Sequence, residues 1–106
     1  MTSQEKMQEL QFIEQTLNNL IMQKNVFQME LSETESALSE IEKAGDEVFK
    51  VIGQLMIKTE KVKVKEDLAN KRKLIELRLK SLEKQETSLS SKLEELRNQI
   101  MSEMNK

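Results

Sequence analysis

The sequence predicts a mainly α-helical protein, an antiparallel two-helix coiled coil with a central β-hairpin. Three observations carry that reading. The 106-residue chain has no proline, so nothing removes a backbone donor from long helices or kinks them. Its apolar residues recur in alternating steps of three and four, the mark of a coiled-coil stripe. One central stretch breaks this rhythm with a run of β-branched and large apolar residues around a glycine.

A first helix is expected over residues 3–44. One row of sevens reads Leu10, Leu17, Lys24, Leu31, Leu38, and a second reads Ile13, Leu20, Phe27, Thr34, Ile41. Gly45-Asp46 fits a helix stop, glycine being the residue that tolerates a left-handed cap. The β-hairpin is expected over 48–59, with strands near 48–52 and 55–59. Gly53-Gln54 forms its turn, because glycine supplies the positive φ that a tight reversal needs. Lys61-Val62-Lys63-Val64-Lys65 leads out of the second strand into a second helix over 65–104. There the rows are Leu68, Ile75, Leu82, Leu89, Leu96 and Arg72, Leu79, Glu86, Leu93, Ile100. Each stripe alone would face water, so the two are expected to bury each other within a single domain over residues 1–106.

Charge favours this pairing. Residues 1–49 hold 10 acidic and 3 basic side chains, net −7, whereas residues 50–106 hold 9 acidic and 14 basic, net +5. Exposed pairs select a partner more than they stabilise it, at roughly 0–1 kcal/mol each. Two seam positions are charged, Lys24 and Glu86. In one antiparallel register Lys24 faces Leu89 and Phe27 faces Glu86, placing the charges in neighbouring layers. They either pair as a register device or snorkel separately to water.

A lone two-stranded hairpin is marginal in water, and this one presents apolar residues on both faces. Val48, Phe49, Val51, Ile52, Gly53, Leu55, Met56 and Ile57 are therefore expected to assemble with other subunits into a multi-subunit β-sheet or β-barrel platform, since unpaired edges must be covered. About forty residues per helix correspond to an arm of roughly 60 Å, with both termini at its far end. Apolar residues off the seam gather there: Met1, Met7, Phe12, Met101 and Met104. Methionine is flexible and polarisable and suits surfaces that bind varied apolar partners. Ile21, Met22, Val26 and Met29 extend this off-seam surface inward, either widening a binding surface or meeting a neighbouring arm.

Composition excludes much else. Without Cys or His there is no thiolate nucleophile, imidazole base or ordinary zinc site. Two glycines, Gly45 and Gly53, cannot cradle a phosphate. No cofactor or metal is expected, and no enzyme activity. The basic residues Lys58, Lys61, Lys63, Lys65 and Lys71-Arg72-Lys73 lack interleaved aromatics on which bases could stack, which argues against a nucleic-acid partner. No apolar run is long enough to span a bilayer, and a soluble, cytoplasmic protein is expected. A structural coiled-coil scaffold without capture of apolar partners is the alternative reading.

The central stretch Glu47-Val48-Phe49-Lys50-Val51-Ile52-Gly53-Gln54-Leu55-Met56-Ile57-Lys58, set between two long coiled-coil helices, resembles the β-type subunits of prefoldin. A single hairpin matches that type, since α-type subunits carry two. The resemblance implies an ATP-independent co-chaperone: two α-type and four β-type subunits would join their hairpins into a double β-barrel bearing six coiled-coil arms. The arm tips would hold unfolded client proteins and pass them to a group II chaperonin. Carried onto this chain, client contact falls to Met1, Met7, Leu10, Phe12, Ile13, Ile100, Met101 and Met104, and assembly to the hairpin residues from Val48 to Ile57.

Overall fold

A computed structural model describes residues 1–105. The element order is α1 (Ser3–Lys43), β1 (Glu47–Ile52), β2 (Leu55–Glu60) and α2 (Lys61–Met104). Thr2 caps α1: its Oγ1 accepts from the Glu5 backbone N–H at 3.1 Å and donates to the Glu5 carboxylate at 3.1 Å. This satisfies a donor that the helix cannot pair internally. Residues pack into two units, Met1–Val26 with Leu79–Lys106, and Phe27–Arg78. They are called here the terminal unit and the hairpin unit.

In the terminal unit, ion pairs link Lys6 to Glu103, Glu14 to Arg97 and Lys24 to Glu86. Rising numbers on α1 meet falling numbers on α2, so the helices run antiparallel. Ile13, Leu17 and Leu96 form a buried cluster with Leu10, Leu89 and Leu93 packed against it. All twenty positions in the predicted rows are buried or half-buried. The stripe that the sequence shows is the stripe that the fold covers.

In the hairpin unit, β1 and β2 pair antiparallel, with Val48 opposite Thr59, Phe49 opposite Lys58 and Val51 opposite Met56. Each strand is one residue longer at its helix-proximal end than expected. Gly53 has φ +60°, and no other described residue has a positive φ. Positive φ at the first central residue alone is the pattern of a type II′ turn, whose twist matches that of the flanking strands. Thr34 is a buried polar seam residue, and its Oγ1 donates to the Glu30 carbonyl at 2.8 Å. Its hydroxyl is thereby satisfied without a partner on α2.

Two expectations at the hairpin base are corrected. Gly45 does not take the left-handed conformation. Instead Lys61 reaches across and its Nζ donates to the carbonyls of Ala44 at 3.0 Å and Glu42 at 3.3 Å. An ammonium supplies there what a glycine cap would have arranged within the chain, and it complements the negative end of the α1 dipole. Lys61-Val62-Lys63-Val64-Lys65 is not a connector but the first turn and a half of α2. Lysines oppose the positive N-terminal end of a helix dipole. Here two of them are held by α1: Lys61 by its carbonyls and Lys65 by the Glu42 carboxylate.

The hydrogen bond from Lys65, followed by its charge, holds the Glu42 carboxyl below the usual glutamate range; desolvation opposes this and Lys61 adds a weaker pull. A carboxyl whose folded value is depressed contributes stability above its unfolded value and loses it as pH falls through the folded one. Lys65→Met should therefore return Glu42 to the ordinary glutamate range in an NMR titration of the side chain. It should also flatten the acid limb of stability in the window between those two values. An unmoved Glu42 titration would show that the contact does not persist in solution.

Candidate functional site

Two surfaces stand out, one in each unit. In the hairpin unit, Phe49, Val51, Ile52, Leu55, Met56 and Ile57 are all exposed, whereas Val48 is half-buried. Strand alternation places Phe49, Val51 and Met56 on one face and Val48, Ile52, Leu55 and Ile57 on the other. Both faces are apolar towards the turn. Lys58 and Glu47, which form an ion pair at 2.9 Å, bring the charge to the opposite end. An open groove continues the first face onto α2, lined by Phe49, Lys50, Val64, Asp67, Leu68 and Lys71. An exposed two-stranded sheet with apolar faces and free edges is unstable unless another chain covers it.

In the terminal unit, Met1, Met7, Phe12, Met101 and Met104 are exposed, as expected of a contact surface. The remaining three residues assigned to it sit differently. Ile13 is 3% exposed and belongs to the core cluster. Leu10 and Ile100 are half-buried in the seam. Their place in the rows of sevens outweighs their nearness to the chain ends, so they support the surface more than they form it. Ile21, Met22, Val26 and Met29 are exposed on α1. So are Val62, Leu74 and Leu77 on α2, which the sequence reading passed over because lysines and glutamates surround them.

Helical spacing sorts the terminal residues into two groups. Glu14 accepts from Arg97 Nη2 at 3.0 Å, which marks one flank of the helix pair. Met7 precedes Glu14 by seven residues, and Met101 and Met104 follow Arg97 by four and seven, so all three continue that flank towards the chain ends. Phe12 lies on a different face of α1, and Met1 precedes the helix.

The charged seam positions pair. Lys24 Nζ donates to Glu86 Oε2 at 3.0 Å, with the side chains 24% and 29% exposed. Of the two readings the sequence leaves open, pairing rather than separate snorkelling is what the structure shows, each charge neutralised by the other. A second pair was missed. Lys6 and Glu103 extend the same rows by one heptad, are 16% and 33% exposed, and form an ion pair, while Ser3 Oγ donates to Glu103 at 2.6 Å. Continuing the rows past the last leucine would have found it.

Lys24→Leu and Glu86→Leu, made singly and together, should show a coupling energy of about 1 kcal/mol, as contacting residues do. The double variant should melt no lower than the wild type, because leucines in a seam pack without desolvating charge. Additive single effects would mean that the two side chains act independently.

No helix among the described residues is long and apolar enough to cross a membrane. Nor do the described residues contain an acidic cluster able to hold a metal ion.

Known proteins resemble this chain in sequence, and one of solved structure shares the arrangement. The family described as "Prefoldin subunit" matches residues 4–106. Prefoldin subunit beta of Thermococcus onnurineus (strain NA1) is 40% identical over 94 residues, covering 87% of this chain and 81% of that protein. Prefoldin subunit beta of Sulfurisphaera tokodaii is 35% identical over 99 residues, covering 92% and 79% respectively. The crystal structure of the prefoldin beta subunit from Thermococcus strain KS-1 superposes with a TM-score of 0.87 at 40% identity, covering 94% of this chain and 90% of that one. Two long helices around one hairpin, aligned over nearly their whole length with such proteins, place this chain in the prefoldin family of chaperone subunits, among those of β type.

Proposed function

We propose that the chain is an ATP-independent holdase and co-chaperone subunit that captures unfolded proteins on the apolar surface of its terminal unit. The observation that carries this is the division of apolar residues there. Leucine and isoleucine fill the core, while Met1, Met7, Phe12, Met101 and Met104 remain in water although no packing demand puts them there. Such contacts are individually weak. Joined through several copies, they bind a client far more tightly than one alone and still release it when a competitor intervenes.

The hairpin supplies the joining. Its exposed faces and the Phe49 groove are the surface through which this chain associates with an α-type prefoldin subunit and with further β-type copies, in the α2β4 arrangement. Cytoplasmic clients pass from the assembly to a group II chaperonin. Holding requires surface and reach, not a reacting group, so the subunit performs no enzymatic step.

Removing about ten residues from each end should leave the number of subunits in the assembly unchanged and abolish its suppression of aggregation of a denatured test protein, because the weak contacts act only together. Full suppression by the truncated chain would overturn the proposal and favour a structural scaffold.

A further inference from the structure

All seven methionines of this chain are exposed, from 42% at Met7 to 79% at Met104. Every described buried apolar residue is leucine or isoleucine. The chain also has no Cys, His, Trp or Tyr. The thioethers are therefore its readily oxidised groups, and all of them stand in solvent. Three, Met7, Met101 and Met104, continue a single flank beyond the Glu14–Arg97 ion pair.

We propose that this methionine flank is an oxidation site at which hydroperoxides reversibly switch off client capture while leaving the fold intact. The inference rests on the client-binding reading of the terminal unit. In the reaction, a sulfur lone pair attacks one oxygen of hydrogen peroxide and the O–O bond breaks as the S–O bond forms. The proton on the transferred oxygen moves to the departing hydroxide, giving sulfoxide and water. Sulfur loses two electrons and the peroxide gains them. Reduction by a dithiol through methionine sulfoxide reductases returns the thioether, with disulfide and water as products.

Sulfoxide is polar and chiral, so it removes the flexible apolar contact that methionine offers to varied partners. In most proteins the same chemistry also disrupts the core. Here the Ile13, Leu17 and Leu96 cluster contains no sulfur, and Lys6–Glu103 and Lys24–Glu86 keep their charges. Loss of capture is thereby separated from loss of structure.

The test treats the assembled protein with hydrogen peroxide, removes the excess, and compares each sample with its own untreated form. Peptide mass mapping should find one added oxygen on Met7, Met101 and Met104. Helicity and assembly mass should be unchanged, and suppression of client aggregation should fall by about fivefold or more, returning after treatment with both sulfoxide reductases. In the triple variant Met7→Leu, Met101→Leu, Met104→Leu, peroxide should cause no further loss, whatever its starting capture. Equal capture by the fully oxidised wild type would overturn the proposal. So would a loss accompanied by dissociation, which would trace to Met56 in the hairpin, or a loss of equal size in the triple variant. Undiminished capture by the untreated truncated chain would instead remove the client-binding reading itself.

Discussion

Aspartate at both Val51 and Met56 converts the assembly into separate, still helical chains. The two residues face each other across the hairpin on one side of the sheet, one pair back from the Ile52–Leu55 pair that flanks the turn. Both are exposed in the single chain, so the substitutions cost the isolated hairpin little. In an assembled sheet, each carboxylate would enter a covered apolar face without a counter-ion. The effective penalty is several kcal/mol per ion after relaxation. Two such charges outweigh what a small apolar contact returns at ~25 cal/mol per Å2 buried. Sedimentation of the variant, alone and co-expressed with an α-type subunit, should show monomer mass where the wild type shows an assembly. Far-UV dichroism should remain helical, because the leucine and isoleucine seam is not touched. A variant with wild-type mass would mean that the chain associates through some other surface, with the hairpin left in water.

Much of this architecture was legible because a coiled coil writes its packing into a one-dimensional period. Leu10 to Leu38 and Leu68 to Leu96 fall on rows of sevens, and every position in those rows is covered. The hairpin was legible because Gly53 is the one place among the described residues where the backbone takes a positive φ. What escaped depended on contacts between residues distant in sequence. Lys61 to Lys65 alternates like a strand, but two of its lysines are anchored on the end of α1, and that anchoring lets the helix begin early. Gly45 suggested a left-handed cap, yet a side chain sixteen residues on performs the capping. Lys6 and Glu103 were invisible to a search for apolar residues, although they occupy the same rows. The site residues divide along the same line. Met1, Met7, Phe12, Met101 and Met104 stand off the period and in solvent, whereas Leu10, Ile13 and Ile100 stand on it and are covered. Period was a better guide to burial than closeness to a terminus.

That distinction gives adjacent residues opposite roles, with opposite expected results. Ile13 is 3% exposed and packs with Leu17 and Leu96, with Leu10, Leu89 and Leu93 around it. Phe12, its neighbour in sequence, is 69% exposed. Ile13→Ala removes buried methyl and methylene groups and leaves a cavity that two facing helices can only partly close, at a cost of about 2–4 kcal/mol. Because this core is a single stripe, that loss is a large fraction of what holds the terminal unit together. Its amides should lose hydrogen-exchange protection while those of the hairpin unit keep theirs, since local stability follows local packing. Phe12→Ala should change stability by less than about 0.5 kcal/mol, as surface substitutions usually do. It should nonetheless weaken suppression of client aggregation, because an exposed ring contributes only when a client covers it. The comparison is made below the melting temperature of the Ile13 variant, with capture and exchange measured on the same preparations. If Phe12→Ala destabilises as much as Ile13→Ala, the ring packs within the assembly and is not offered to clients. If it leaves both stability and capture unchanged, the α1 face that carries Phe12 is idle and capture belongs to the methionine flank.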